Sequence, residues 1–302
     1  MARNTQKTTD KPAAIAYETE LGTLHIEQVE TFLDSKVGQD LKGKVDLLFT
    51  SPPFPLVSPK RYGNQTGDEY REWMIGLATR FAELLSPTGS MVIEIGNAWE
   101  RGQPLMSTVP LETLIGIARV ADLNVCQQFV CHNPARLPSP AAWVTVRRIR
   151  VKDSFTHVWW YSRTEYPKAD NKRVLRPYKN GMKRLLSRGS YNSGTRPSEH
   201  AIGDTSFLSD HGGSIPPSML EYSNTGTQRE YAAWCAANEL TLHPARMPPG
   251  LVEFFVSFLT DEGDLVFDPF AGSNTTGSVA EKMLRRWCGV ESNPDYAIGS
   301  MG

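Results

Sequence analysis

Residues 264–291 constrain the fold more than any other stretch, because they read as strand, glycine turn, helix and strand in immediate succession. Asp264-Leu-Val-Phe-Asp268 is a short apolar run of the buried-strand kind. Pro269 opens the following turn and keeps a helix from running through it, while Ser273 to Thr276 offer capping side chains. Val279, Ala280, Met283 and Leu284 then recur at helical spacing, and Trp287-Cys-Gly-Val-Glu291 is a second strand that ends in an acid. The same alternation runs through the earlier chain. Strands are expected at 23–26, 45–50, 90–95, 125–130 and 155–161. Helices are expected through Phe32 and Leu33, from Asp68 as cap to Leu85, from Pro110 through Ala118, and across Leu251 to Leu259. Strands alternating with helices of this length predict an α/β fold with a mainly parallel sheet.

The turn at 269–277 has the physics of a nucleoside pocket. Glycine lets backbone approach a ligand, free N–H groups gather at a helix N-terminus, and an acid about 20 residues on can hold ribose hydroxyls. Gly272 and Gly277 have the spacing of a phosphate loop, but Ser278 stands where that loop needs lysine, and the dinucleotide fingerprint is absent. A nucleoside without phosphates remains, and S-adenosylmethionine fits.

A second chemical signal sits after the strand at 45–50. In Ser51-Pro-Pro-Phe54, two prolines lock the backbone, so the serine hydroxyl and the carbonyls of Ser51 and Pro52 point in set directions. Phe54 adds a face for stacking. That set suits a flat heterocycle bearing an exocyclic amine. A plain strand terminator is the bland alternative.

Charge matters by distribution. The net charge is −1, yet residues 147–188 hold 13 Lys and Arg against three acids (Asp153, Glu165, Asp170), while the rest of the chain has 19 bases against 30 acids. Such asymmetry predicts a local phosphate-binding face, with Arg147, Arg148, Arg150 and Lys152 as its candidates and Arg136 and Arg196 as further loop cations. Cys126, Cys131, Cys235 and Cys288 form no C-x-x-C pair, none follows a proline, and no metal site is expected. The histidines have no serine or cysteine at triad spacing. No membrane span or signal peptide is legible, which makes a cytoplasmic protein the default. The 302 residues accommodate one large α/β domain with an insertion. The boundaries read as 1–164, an inserted region at 165–240 without sustained periodicity, and 241–302.

Thr-Ser-Pro-Pro-Phe54 together with Asp268-Pro-Phe-Ala-Gly-Ser-Asn-Thr-Thr-Gly277 resembles the beta group of amino-methylating DNA methyltransferases. In that group the catalytic motif precedes the cofactor motif, a circularly permuted order on a Rossmann-like S-adenosylmethionine-dependent fold. Ser-Pro-Pro-Phe in place of Asp-Pro-Pro-Tyr is similar to the cytosine-N4 members rather than the adenine members. The likeness to one such member continues through Leu137 to Pro140, Arg147 to Asp153, Val158 to Ser162, Gly212 to Pro217 and His243 to Pro248.

The resemblance implies site residues. Ser51, Pro52, Pro53 and Phe54 would hold and stack on a flipped cytosine. Glu94, one methylene longer than the aspartate of that relative, would take the proton through Ser51. Asp268, Phe270, Gly272, Ser273 and Thr276 would belong to the cofactor site, Glu291 would bind its ribose, and His243 would complete the pocket. An acid the family places near the N-terminal strand is replaced here at Glu27-Gln28. The inserted region would be a target-recognition region, the substrate duplex DNA with a CAGCTG-type palindrome, and the biological partner a cognate restriction endonuclease, with a monomer compatible. Adenine methylation and a non-catalytic DNA-binding protein are the competing readings.

Overall fold

In a computed structural model, residues 14–55, 65–190, 194–203, 205, 207–223 and 228–301 are described. They divide into two compact units, one built from the chain up to 169 together with 218 onward, the other from 170–217.

The larger unit is organised on one sheet. Its strands are β1 (Ala14–Glu18), β2 (Gly22–Ile26), β3 (Val45–Thr50), β4 (Leu85–Gly96), β5 (Asn124–His132) and β6 (Phe155–Ser162). Two short strands of the smaller unit are β7 (Gly194–Thr195) and β8 (Ala201–Ile202). The large sheet is completed by β9 (Met219–Glu221), β10 (Leu265–Asp268) and β11 (Arg286–Glu291). The order across it is β1-β2-β11-β10-β3-β4-β6-β5-β9. From β2 to β4 every pairing is parallel, whereas β6 runs antiparallel to both β4 and β5.

The helices of the larger unit are α1 (Val29–Asp34), α2 (Lys36–Asp40), α3 (Gly67–Leu84) and α4 (Val109–Val120). The smaller unit supplies α5 (Asn180–Arg188). The larger unit ends with α6 (Gln228–Ala237), α7 (Pro249–Leu259), α8 (Thr275–Lys282) and α9 (Pro294–Gly299). The period-2 alternation of β3 assigns its side chains to two cores. Leu48 joins Phe32, Tyr70, Met74, Phe81 and Ile117 beneath α1, α3 and α4. Phe49 turns to the other face and meets the Phe255 ring of α7 at 5.5 Å.

The winding fixes where a ligand can sit. From β3 the chain passes through α3 to β4 on one side, and from β10 through α8 to β11 on the other. β3 and β10 are neighbours, with Val266 opposite Leu47 and Phe267 opposite Leu48. The direction of winding therefore reverses between them, and in such sheets the crevice opens beyond the carboxyl ends of those two strands.

Several expectations are corrected. Thr66, not Asp68, stands at the cap of α3, and Asp68 lies in the first turn with Arg71 at 2.9 Å. Ile115 faces solvent, because the packed stripe of α4 runs through Pro110, Thr113, Leu114 and Ile117. The smaller compact unit itself spans 170–217, while β9 pairs with β5 and α6 packs beside α9 in the larger unit. The supposedly aperiodic segment contains α5 and α6. Within the smaller unit, Arg176 and Ser214 exchange backbone bonds of 2.9 and 2.8 Å, and Gly213 has no room for a Cβ, which would come within 2.8 Å of the Arg176 carbonyl.

Candidate active site

Asp268 is the joint between the two loops. It ends β10, is 2% exposed, and uses both carboxylate oxygens. Oδ1 accepts from Thr50 Oγ1 at 2.7 Å and from the Phe270 amide at 3.1 Å, and Oδ2 accepts from Thr276 Oγ1 at 2.6 Å. Thr50 immediately precedes Ser51, so this carboxylate ties the catalytic turn to the glycine turn. Burial raises its pKa to about 6, against the pull of those three hydrogen bonds. Asp268 and Thr276, both expected to touch a ligand, bond to each other behind the cavity wall; Thr275 lines the cavity instead.

A prediction follows from the sign of that shift. A carboxyl whose pKa is raised on folding lowers stability as pH climbs from 3.8 to about 6, because the folded state then gives up a proton it holds more tightly than the unfolded chain. Asp268→Ala strands three donors and should cost about 1–3 kcal/mol. Urea unfolding should show a larger loss at pH 4 than at pH 8.

The glycine turn is shaped for close approach. Gly272 has φ +54°, and a Cβ there would lie 2.9 Å from His243 Nε2. Asn274, also left-handed at φ +48°, accepts from Gly277 N at 3.1 Å and caps α8. Glu291 at the end of β11 accepts from Gly272 N at 2.9 Å and from Asn293 N at 2.7 Å. Its pKa is raised, chiefly by burial. His243 stands over the turn with its ring edge-on to Tyr296 at 4.7 Å, and Ser273 Oγ accepts from Arg246 Nε at 3.0 Å.

The catalytic turn faces the same space. Ser51, Pro52, Pro53, Phe54, Gly272 and Glu291 all line one cavity of about 370 Å³. Phe54 lies against the end of β4, where a Cβ on Gly96 would come within 2.6 Å of its ring. Glu94 is 6% exposed and sits behind Ser51. It accepts 2.7 Å from Thr156 Oγ1 and bonds the Ser51 hydroxyl. Burial raises its pKa; those hydrogen bonds and the nearby Arg136 charge oppose the rise. Ser51 thus stands between a proton-hungry buried carboxylate and the cavity.

Residues 45–300 match the N6/N4 methyltransferase family, described as DNA methylase. The chain belongs to that family. It is 42% identical to the type II methyltransferase M.PvuII of Proteus hauseri over 291 residues, 94% of this chain and 84% of that one. M.BglII of Bacillus subtilis is 24% identical over 260 residues, covering 83% and 61%. Among solved structures, the PvuII DNA methyltransferase (cytosine-N4-specific) superposes with a TM-score of 0.76 at 35% identity, over 98% of this chain and 89% of that one. M1.HpyAVI in complex with SAM shares the fold alone, with a TM-score of 0.54 at 19% identity over 93% and 97%. The α/β methyltransferase fold expected from the sequence is therefore the observed one.

The remaining candidates sit in four settings. Phe270, Ser273 and His243 line the cavity. Arg147, Arg148, Arg150 and Lys152 are exposed on the loop between β5 and β6. Arg136, on the same loop, turns inward instead: Nη1 donates to the Phe155 carbonyl at 3.2 Å and Nη2 lies 3.8 Å from Asp153. Arg196 is exposed in the smaller unit, its amide bonded to the His200 carbonyl at 2.9 Å.

Sequence reasoning missed one wall of the cavity. The Trp73 ring lies 5.5 Å from that of Phe270 and donates Nε1 to Glu30 Oε1 at 2.6 Å. Trp73 shares the apolar stripe of α3, so spacing alone does not distinguish it from core. The N-terminal acid sought at Glu27-Gln28 has two counterparts here, since Glu27 and Glu30 both line the cavity. Among the described residues no group of His, Cys, Asp or Glu could hold a metal, the four cysteines are free, and no helix is long and apolar enough to cross a membrane.

Proposed function

We propose that this DNA methylase transfers a methyl group from S-adenosylmethionine to the exocyclic amine of cytosine in duplex DNA, at a CAGCTG-type site, and protects DNA against a cognate restriction endonuclease. Genomic DNA as substrate puts it in the cytoplasm. The observation that carries the reading is Ser51, backed by buried Glu94, on the same cavity as the glycine turn.

The residues present fit the cofactor. The cavity has the volume of a small-molecule site. Gly272 keeps one wall free of a side chain, and Glu291 offers carboxylate oxygens for ribose hydroxyls. Phe270 and Trp73 form an aromatic wall, and Glu30 is the acid beside it. When bound, the cofactor supplies an electrophilic methyl on a sulfonium.

The chain's own part is positioning and proton traffic. The cytosine amine is a weak nucleophile because its lone pair is delocalised into the ring. Hydrogen bonds to the Ser51 hydroxyl and the Pro52 carbonyl favour a more tetrahedral nitrogen, and Phe54 holds the ring plane. Glu94, already bonded to Ser51, takes the departing proton through that hydroxyl.

The test is to incubate a CAGCTG duplex with the protein and S-adenosylmethionine, digest it to nucleosides and identify the product by mass spectrometry. N4-methylcytosine is expected. N6-methyladenine would replace the reading with adenine methylation, and cofactor-independent DNA binding without product would replace it with a non-catalytic role.

The exposed cations make a separate prediction. Arg147→Glu with Arg148→Glu should weaken duplex binding by about tenfold or more at low salt and flatten its salt dependence. Fluorescence anisotropy across a salt series checks it.

A further inference from the structure

We infer that the loop of residues 133–153 carries an apolar wedge, with Val151 its most exposed member, that fills the base stack when the target base leaves it. The inference rests on the base-methylating role proposed above.

The loop has an unusual surface for a segment so firmly held. Its ends are closed by the Asn133 amide on the Ser154 carbonyl at 2.8 Å, and its two limbs by the Asp153 amide on the Ser139 carbonyl at 3.0 Å. Ile149 N bonds Trp143 O at 2.9 Å, and Arg150 Nε bonds the Pro104 carbonyl at 3.1 Å. Yet Leu137 is 80% exposed, Val146 77%, Ile149 49% and Val151 87%. Single exposed aliphatics are ordinary; several on one fixed loop form a patch that marks a contact surface.

Charge identifies what covers the patch. Arg147, Arg148, Arg150 and Lys152 interleave with Ile149 and Val151, and Arg147 stacks its guanidinium over Trp143 at 5.0 Å. Cations alternating with aliphatics suit a polymer with charged edges and an apolar interior, which is a nucleic acid duplex rather than a lipid or an acidic protein. Wedges of this kind enter between base steps and unstack them.

Position completes the argument. Two residues beyond Val151, Asp153 Oδ1 accepts from Asn97 Nδ2 at 2.9 Å. Asn97 follows Gly96, against which Phe54 packs. Leu137 adjoins Arg136, the other partner of Asp153. Leu137 and Val151 thus flank one anchor that is tied directly to the end of β4 beside the catalytic turn. Extruding a base costs a few kcal/mol of lost stacking and pairing. A side chain held at this rim can offset part of that by occupying the gap.

The test compares wild type, Val151→Ala and the triple Leu137→Ala, Val146→Ala, Val151→Ala variant. The substrates are two duplexes carrying pyrrolocytosine at the target position, one opposite guanine and one opposite an abasic site. Readouts are duplex affinity and the rise in analogue fluorescence on unstacking. Val151→Ala should bind the paired duplex about tenfold more weakly, with a reduced fluorescence rise, and come within about twofold of wild type on the abasic duplex. Equal behaviour of the triple variant and wild type on the paired duplex would overturn the wedge, and so would an equal deficit on both duplexes. If wild type methylates no cytosine while the paired-duplex deficit stands, the wedge is supported and the methyl-transfer reading fails instead.

Discussion

Ser51→Ala should leave cofactor affinity within about twofold of wild type and lower the rate of methyl transfer by about 10²–10³-fold. The hydroxyl is the one group that meets Glu94 on one side and the cavity on the other. Alanine fits the same backbone between Thr50 and Pro52, so the clamp from Thr50 to Asp268 stays in place. What disappears is the hydrogen bond that orients the amine and the route by which its proton reaches Glu94. Isothermal titration with cofactor, paired with single-turnover methylation of a duplex, separates the two. Unchanged turnover would remove Ser51 from the mechanism.

Glu94→Gln should cost about 10²–10⁴-fold in transfer rate, the range for losing a positioned proton acceptor. The amide keeps an oxygen for Thr156 but no negative charge. On the proposed mechanism the active form is the ionised carboxylate, whose pKa is raised by burial. Activity should therefore fall as pH drops through a value above the ordinary carboxylate range, and the residual activity of the glutamine variant should lack that limb. Stability moves oppositely. A buried acid with a raised pKa opposes folding once it ionises, so Glu94→Gln should match or exceed wild type in urea midpoint at pH 8. A variant both less stable and less active would assign Glu94 a structural role.

Much of the larger unit was legible because its strands are short apolar runs closed by proline or glycine. β3 was read at its observed boundaries and β6 nearly so, whereas β4 begins at Leu85, five residues before the expected start. β1 was missed because Ala14–Glu18 is half exposed at a sheet edge and has no alternation to read. α5 was missed because its apolar residues are few and its neighbours are turn formers, and α6 because its apolar residues are mostly small alanines. A shared cavity wall was legible where glycine or proline dictates backbone, at Ser51-Pro-Pro-Phe54 and Gly272. Side-chain direction was not legible: Asp268 and Thr276 bond to each other, and Arg136 turns in toward Asp153. Spacing along a chain cannot reveal such choices, because they depend on neighbours brought from other strands.

Thr50 and Asp268 are separated by 218 positions, yet their side chains touch. A ribosome delivers the Ser51 turn well before the Gly272 turn, so the nascent polypeptide carries the first for more than 200 residues before the second exists. Methylation competence should switch on in a single step, when the β-α-β unit of β10, α8 and β11 slots between β2 and β3 at the centre of the sheet.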